Sequence, residues 1–429
     1  MPFETANNAR QKVAVIGAGI SGLGAAHLLA DRHQVVLFEA ALRLGGHART
    51  VIAGKRGDQP VDTGFIVFNR VNYPHMVQLF EDLDVPVADS NMSFGASIRG
   101  GALEYALRSV GSVFVQKRNA VNPAFLRMLW DINRFNTHAV RLANDPGMTI
   151  GGFLDRLGTG AWFRDYYILP LSGAIWSTPT RGILEFPAQA MIRFFQNHAL
   201  LSATGQHQWY TVQGGSVEYV RRLAASLARR GVDIRLSAPV QQVTRDAAGV
   251  VVKAQGGAEE RFDQVILATH SDDSLAMLGD PSTAERAALG AVRYQPNQVV
   301  LHCDETVMPR RRGAWASWVY TEPAGARDDA IALTYWMNSL QPIPKDDPLF
   351  VTLNSTRAID PAKIYDQVEF SHPVYDLAAL AAQQAVRRFN GTRNTWFCGA
   401  WMRNGFHEDG LASAVDVAAG IARASAVAA

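Results

Sequence analysis

The chain has 429 residues, with 41 Lys and Arg against 39 Asp and Glu, and 48% of its residues are hydrophobic. That length exceeds one ordinary core and suits two intertwined domains. A formal net charge of +2 excludes a nucleic-acid footprint. Only two cysteines are present, Cys303 and Cys398, too far apart in sequence for a metal-ligand spacing, so no metal site is expected. Both read as packed thiols of a reducing compartment. The N-terminus is polar for about ten residues and resembles no signal peptide. No run approaches the roughly 20 apolar residues that span a bilayer. The expected location is cytoplasmic.

Residues 13–16 (VAVI) form a short apolar run that reads as a buried parallel strand. Gly17, Gly19 and Gly22 follow in G-x-G-x-x-G spacing, with Ile20 and Ser21 inside it and an Ala/Leu-rich helix pattern after it. A second apolar run, 35–38, ends on Glu39 and Ala40. This is a βαβ unit suited to a dinucleotide. Gly17 permits the tight turn, Gly19 lets backbone approach a pyrophosphate, and Gly22 lets helix and strand pack closely. The helix N-terminus aims free N–H groups at phosphate, and the Glu39 carboxylate suits ribose hydroxyls. The plainer reading gives these glycines to packing alone.

Arg43-Leu44-Gly45-Gly46-His47-Ala48-Arg49-Thr50 comes next. Its glycine pair allows close passage of a bulky ligand, and its two arginines suit phosphate. A nicotinamide enzyme has no need of this loop. Residues 70–208 look mainly helical, with helix-period apolar spacing at 73–83 and 123–142. Residues 213–216 (QGGS) precede an amphipathic helix reaching Arg230, and 234–243 reads as strand, turn, strand. Residues 262–270 (FDQVILATH) form an apolar strand ending at Ala268 and Thr269. Strands are expected at 299–303, 331–336 and 349–353, and a helix at 377–389. Residues 396–400 read as a strand, and Asp409 as the N-cap of a long final helix. The basic groups, including the triplet Arg310 to Arg312, read as solvated faces, with one at most touching phosphate or an anionic membrane.

The 43–50 loop resembles the second FAD signature of the flavin-dependent amine oxidase superfamily, and segments 61–65, 213–216, 262–270 and 395–414 fit the same family. The resemblance implies an α/β fold: a Rossmann-like, GR2-type FAD-binding domain assembled from 1–69, 209–272 and 391–429. A mixed α+β substrate domain is expected from 70–208 and 273–390. It implies FAD contacts from Arg43, Gly45, Gly46 and His47, from Thr63 and Gly64 beneath the flavin, and from Val240 at the adenine. Ala268 and Thr269 end a cofactor strand, with His270 where glycine is usual. Gly399, Ala400, Gly410, Leu411 and Ala412 are expected along the flavin N1/C2=O edge, where a helix N-terminus stabilises negative charge. The acid usual after the strand's glycine is missing; Trp401 and Met402 stand there.

Aromatic residues crowd 162–195 and 315–336. Most must be core, and some are expected to line an apolar tunnel. No Ser-His-Asp arrangement, H-E-x-x-H or paired-cysteine motif competes with flavin chemistry. No lysine lies in a flavin-facing motif, although Trp401 would serve as one wall of an amine cage. The candidate bases are His407, Glu408 and His47. His407 and Glu408 could equally cap helices or pair with each other, and His47 could be a plain loop histidine. The motifs RLGGHART, VDTGFIVFN, WYTVQGGS and GFHEDGL are similar to a bacterial branch acting on fatty-acyl chains beside cyclopropane-synthase-like methyltransferases. That branch includes the flavoprotein desaturase of furan fatty acid synthesis. The expectation is therefore hydride removal from a methyl-branched acyl chain of a phospholipid. Peripheral contact with the inner membrane face and a partner methyltransferase accompany it. An amine oxidase and a non-catalytic flavin-binding redox module are the alternatives.

Overall fold

The computed structural model describes residues 10–178, 180–202, 205–325 and 331–428, so the polar first nine residues lie outside it. The run at Lys12–Ile16 is a strand whose last four residues are buried, as an apolar run without alternation requires. Helix Ile20–Leu29 follows, and strand Gln34–Phe38 returns parallel to the first, with Val15 opposite Leu37. Gln264–Leu267 pairs on the other side of the first strand and Thr395–Phe397 lies beyond it, while Asp233–Arg235 flanks Gln34–Phe38. All these pairings are parallel, so one five-stranded sheet draws on widely separated stretches of chain. A three-stranded antiparallel sheet, Val240–Asp246, Gly249–Ala254 and Glu259–Phe262, branches between its strands.

The final helix, His407–Ala428, lies against Ile20–Leu29. Glycines let the two approach: a Cβ on Gly24 would fall 2.5 Å from Leu411 Cδ1, and one on Gly410 would fall 2.8 Å from Ile20 Cγ2. The helix begins two residues before the expected Asp409 cap. Asp409 instead occupies the first turn, where its Oδ2 accepts the Phe406 N–H at 3.0 Å.

A seven-stranded sheet makes the second body, in the order Ile364–Val374, Arg293–His302, Phe350–Leu353, Leu333–Trp336, Trp318–Thr321, Phe94–Ile98 and Leu103–Ala106. Its last two strands, like Val87–Ser90, come from the stretch expected to be mainly helical. Both strands are buried throughout, which removes the alternation that marks a strand in sequence. Glu104 is fully buried among them, held by the Arg310 and Arg311 N–H groups at 2.8 and 3.3 Å and by Arg311 Nη1 at 2.8 Å. The expected helices at Pro74–Asp82, Pro123–Leu142 and Leu377–Phe389 are present, the first two opening on proline. Cys303 and Cys398 are free thiols. Among the described residues no helix is long and apolar enough to cross a membrane.

Asp62 ties the two bodies together. It is 1% exposed and accepts from the Ser216 N–H at 2.8 Å, Ser216 Oγ at 2.7 Å, Thr50 Oγ1 at 2.6 Å and Gln341 Nε2 at 3.0 Å. Burial pushes its carboxyl up to about 6, against the pull of the Thr50 and Ser216 hydrogen bonds. Asp62→Ala would strand these donors in a dry site and should cost about 3 kcal/mol, read as a lower urea midpoint. An unchanged midpoint would contradict this role.

Candidate active site

The first glycine loop is shaped by close backbone contacts and by the Glu39 side chain. Gly17 has φ +97°, and a Cβ there would meet the Ala268 carbonyl at 2.9 Å. A Cβ on Gly22 would lie 1.8 Å from the Gly17 oxygen. Above Gly19 nothing among the described residues stands within 4 Å of a Cβ position, so that face is open. The N–H groups of Ile20, Ser21 and Gly22 have no protein partner among the described residues. Glu39 accepts the Ala18 and Ala41 N–H groups, both at 2.8 Å, one on each oxygen, and retains lone pairs for a further donor.

The second loop closes over the first. Gly45 N–H donates to the Ala18 carbonyl at 2.8 Å, and a Cβ on Gly46 would press on Gly19 Cα at 3.1 Å. Gly64 passes so close to His47 that a Cβ would lie 1.9 Å from its carbonyl oxygen. Arg43 is turned onto its own loop, donating to the Gly46 and Ala48 carbonyls at 2.8 and 3.2 Å, with the Glu39 carboxylate close enough to act on its charge. Arg49, suited to phosphate in the sequence, is engaged instead in a forked pair with Asp366 at 2.5 and 3.0 Å. Thr63 N–H donates to the Arg49 carbonyl at 2.8 Å. Ala268 donates to Ile16 at 2.8 Å, and Thr269 Oγ1 lies 2.8 Å from Ser274 Oγ. Gly399 N–H donates to Ser413 Oγ at 2.9 Å. An open, side-chain-free cleft with free N–H groups at its floor fits a dinucleotide such as FAD.

Histidines gather beside this cleft. His47 stacks on Phe370 with ring centroids 4.6 Å apart, faces His372 edge-on at 5.4 Å, and lies 6.1 Å from His270. Each keeps part of its surface open while sitting deep among apolar groups. Burial first, then His372, His270 and His407, holds His47 well below the ordinary histidine value, so it is neutral. Its ring also hydrogen-bonds the Ser371 backbone, which leaves the second ring nitrogen as the lone pair. Burial takes His372 down to about 4. Asn354 donates to Asn297 Oδ1 at 2.7 Å, so the Asn297 amide must donate to His372 Nδ1, 3.0 Å away. That places the His372 proton on Nε2.

His407 lies on the other wall, stacked on Phe65 at 4.0 Å, and burial lowers it to about 3. Its Nε2 is 2.6 Å from Tyr219 Oη. Burial raises the phenol, so Tyr219 keeps its proton and donates, filling the His407 lone pair. Glu408 faces elsewhere. Its oxygens accept the His75 and Met76 N–H groups at 3.1 and 3.0 Å, so it caps helix Pro74–Asp82. Trp401 is core, 2% exposed, and donates to the Thr269 carbonyl at 3.1 Å. Leu411 packs on Gly24, whereas Val240 opens the antiparallel sheet opposite Ala254. The aromatic residues Trp176, Phe186, Phe194 and Phe195 are buried core, with Phe194 stacked on Phe406 at 4.8 Å, just before His407.

A family model described as flavin containing amine oxidoreductase matches residues 20–335. The chain belongs to this family. It is an FAD-dependent oxidoreductase. No curated protein matches its sequence. The fold is similar to a CLA-producing fatty acid isomerase from P. acnes, at 14% identity and TM-score 0.68 over 96% of this chain and 98% of that one. It is also similar to cyclohexylamine oxidase from Brevibacterium oxydans IH-35A, at 16% identity and TM-score 0.68 over 96% and 99%. A putrescine oxidase bound to putrescine resembles it at 15% identity and TM-score 0.67 over 96% and 99%.

In this oxidoreductase His372, Phe370, Asn297 and Tyr219 escaped sequence reasoning. Only the alternation Phe370-x-His372 in an edge strand hinted that both face one way. His270 was noticed for replacing glycine. It takes an ordinary φ of −58° and stacks on Tyr294 at 4.2 Å.

Glu39→Ala should weaken FAD binding by about tenfold, measured by fluorescence titration of the stripped protein; unchanged affinity would remove Glu39 from the site. His372 and His407 are neutral when folded and take up a proton on unfolding below 6.5. Their contribution is complete above 6.5 and is lost as pH falls towards about 4 and about 3. Asp62 and Asp409, both raised to about 6, act oppositely between about 6 and 3.8. His372→Gln should therefore lose less thermal midpoint than the native enzyme on moving from neutral to mildly acidic buffer. Equal losses would contradict the assignment.

Proposed function

We propose that the enzyme removes hydride from a lipophilic substrate, and that the leading substrate is a methyl-branched fatty-acyl chain of a phospholipid, desaturated as in furan fatty acid synthesis. The observation that carries this reading is the neutral histidine pair, His47 and His372, bordered by Phe370. Among the described residues no carboxylate acts on either ring. Such a site offers a base without offering a counter-charge.

Bound FAD supplies a two-electron acceptor for hydride. The glycine loops and the adjacent helix starts at Ile20 and His407 would hold its phosphates and polar ring edge. Around it the chain excludes water with Phe65, Phe370 and the Phe194–Phe406 stack. Hydride loss from one carbon leaves an electron-deficient centre. The free lone pair of His47 takes the proton from the neighbouring carbon, and that C–H pair becomes the π bond. His407, with its lone pair filled by Tyr219, shapes the opposite wall, and Glu408 is committed to its helix. Partnership with a methyltransferase that supplies the branch accords with this chemistry.

Lipid mass spectrometry tests the substrate. Cells that supply a methyl-branched chain should show loss of two hydrogens from it only when the gene is present; an unchanged profile would contradict the reading. His47→Gln should retain flavin and lower turnover by about a hundredfold. Because His47 is held below the ordinary 6.5, the acid limb of the native rate profile should lie under that value. A limb at or above it would remove His47 as the base. Amine oxidation is the second reading, favoured by the description of the family model. Peroxide release that depends on an added amine would select it.

A further inference from the structure

The basic triplet that the cofactor site leaves unexplained lies at the mouth of a cavity of about 550 Å³ on the second body. Arg310, Arg312, Arg357, Thr306 and Trp315 line it. The charges there do not balance. Arg311 is paired with buried Glu104 at 2.8 Å, and Arg312 with Glu305 at 2.6 Å, while Arg312 also stands 4.0 Å over the Trp315 ring. Arg357 donates to the Thr306 and Met308 carbonyls at 2.7 and 3.3 Å and forms no ion pair among the described residues. The Arg310 guanidinium has no partner among the described residues; only its backbone N–H is bound, to Glu104. Burial first, then Arg310, lowers Arg357, and buried Glu104, already engaged by Arg311, offsets this only in part.

One segment, residues 107–142, borders this cavity. Gln116 donates to the Gly101 carbonyl at 3.2 Å, next to the cavity-lining Gly100, and Val115 lies under Gly313. The segment carries Arg108, Lys117, Arg118, Arg127, Arg134 and Arg141. Its single acid, Asp131, is buried and paired with Arg127 at 3.1 Å. It also exposes large apolar side chains: Val110 at 76%, Val121 at 80%, Leu126 at 42%, Trp130 at 52% and Val140 at 49%. On helix Pro123–Leu142 the spacing 126, 130, 140 puts three of these on one solvent face. The Arg127 and Arg134 guanidinium groups lie 4.7 and 5.4 Å from the Trp130 ring. Amphipathic indole beside arginine, with exposed apolar side chains on the same helix face as Asn133 and Thr137, is a composition that settles at a lipid–water interface.

We propose that this face docks on an anionic phospholipid bilayer, with the 107–142 segment in the headgroup layer and a lipid phosphate in the Arg310–Arg357 cavity. The excess of basic over acidic groups is the complement of an anionic leaflet. The inference rests on the acyl-chain reading for its purpose, since it names the surface at which a phospholipid is met. Its test requires no turnover, so either can fail alone.

Flavin-loaded protein is floated with vesicles of phosphatidylcholine alone and with phosphatidylglycerol added. Binding is expected only to the second, weakening with salt. Arg310→Ala should reduce it about fivefold, and the pair Val121→Asp, Trp130→Ser should reduce it at least as much. Both proteins should keep the native flavin spectrum, which separates lost docking from lost fold. No flotation with anionic vesicles, or flotation that neither variant changes, overturns the proposal. Binding of inorganic phosphate, followed by calorimetry, without flotation also overturns it and leaves a free-anion site. Self-association through this face, seen as a dimer that Trp130→Ser dissociates in the absence of lipid, would overturn it in favour of a second copy.

Discussion

The site depends on backbone meeting backbone where no side chain intervenes. Gly22 lies on the Gly17 carbonyl, Gly46 on Gly19, and Gly64 on the His47 carbonyl, each closer than a Cβ permits or nearly so. Those contacts stack two loops and the 63–65 segment into one cleft and leave three helix N–H groups free at its floor. A methyl group at Gly22 or Gly64 would force main chain apart, because the atom it meets is carbonyl oxygen rather than a flexible side chain. The chain thereby gains a dinucleotide cleft from short stretches that are far apart in sequence.

Polar contacts over long sequence distances hold the remainder in register. Asp62 gathers Thr50, Ser216 and Gln341, and Arg49 reaches Asp366. Glu408 caps a helix that begins at Pro74. Each of these links joins the parallel-sheet body to an insert, so the wall bearing His407 and the wall bearing His372 are positioned independently of local sequence. Burial then holds His47, His372 and His407 neutral, and hydrogen bonds fix their tautomers. The outcome is a cleft walled by neutral rings in which His47 keeps a usable lone pair.

Much of this was legible in the sequence. The glycine spacing, the strands around it and the helices at Pro74 and Pro123 follow local rules of turn, period and capping. The remainder was not, for identifiable reasons. Strands Phe94–Ile98 and Leu103–Ala106 are buried on both faces and carry an internal glutamate, so neither alternation nor composition marks them. Asp409 looked like a cap because its type suits one; the helix starts earlier because a first-turn carboxylate can reach back to Phe406. The roles of Glu408, His372 and Asn297 depend on partners that only the fold brings near.

The central claim is that separated stretches of chain form one flavin cleft with a neutral histidine beside it. Anaerobic titration of the flavin-loaded protein, followed by visible absorption at several pH values, tests it most directly. The account predicts one FAD per chain and an oxidised flavin spectrum that shows no histidine-linked change down to the ordinary histidine value. Protein that stays colourless after incubation with excess FAD would contradict it, as would a spectrum that titrates near neutral pH and loses that titration in His47→Gln.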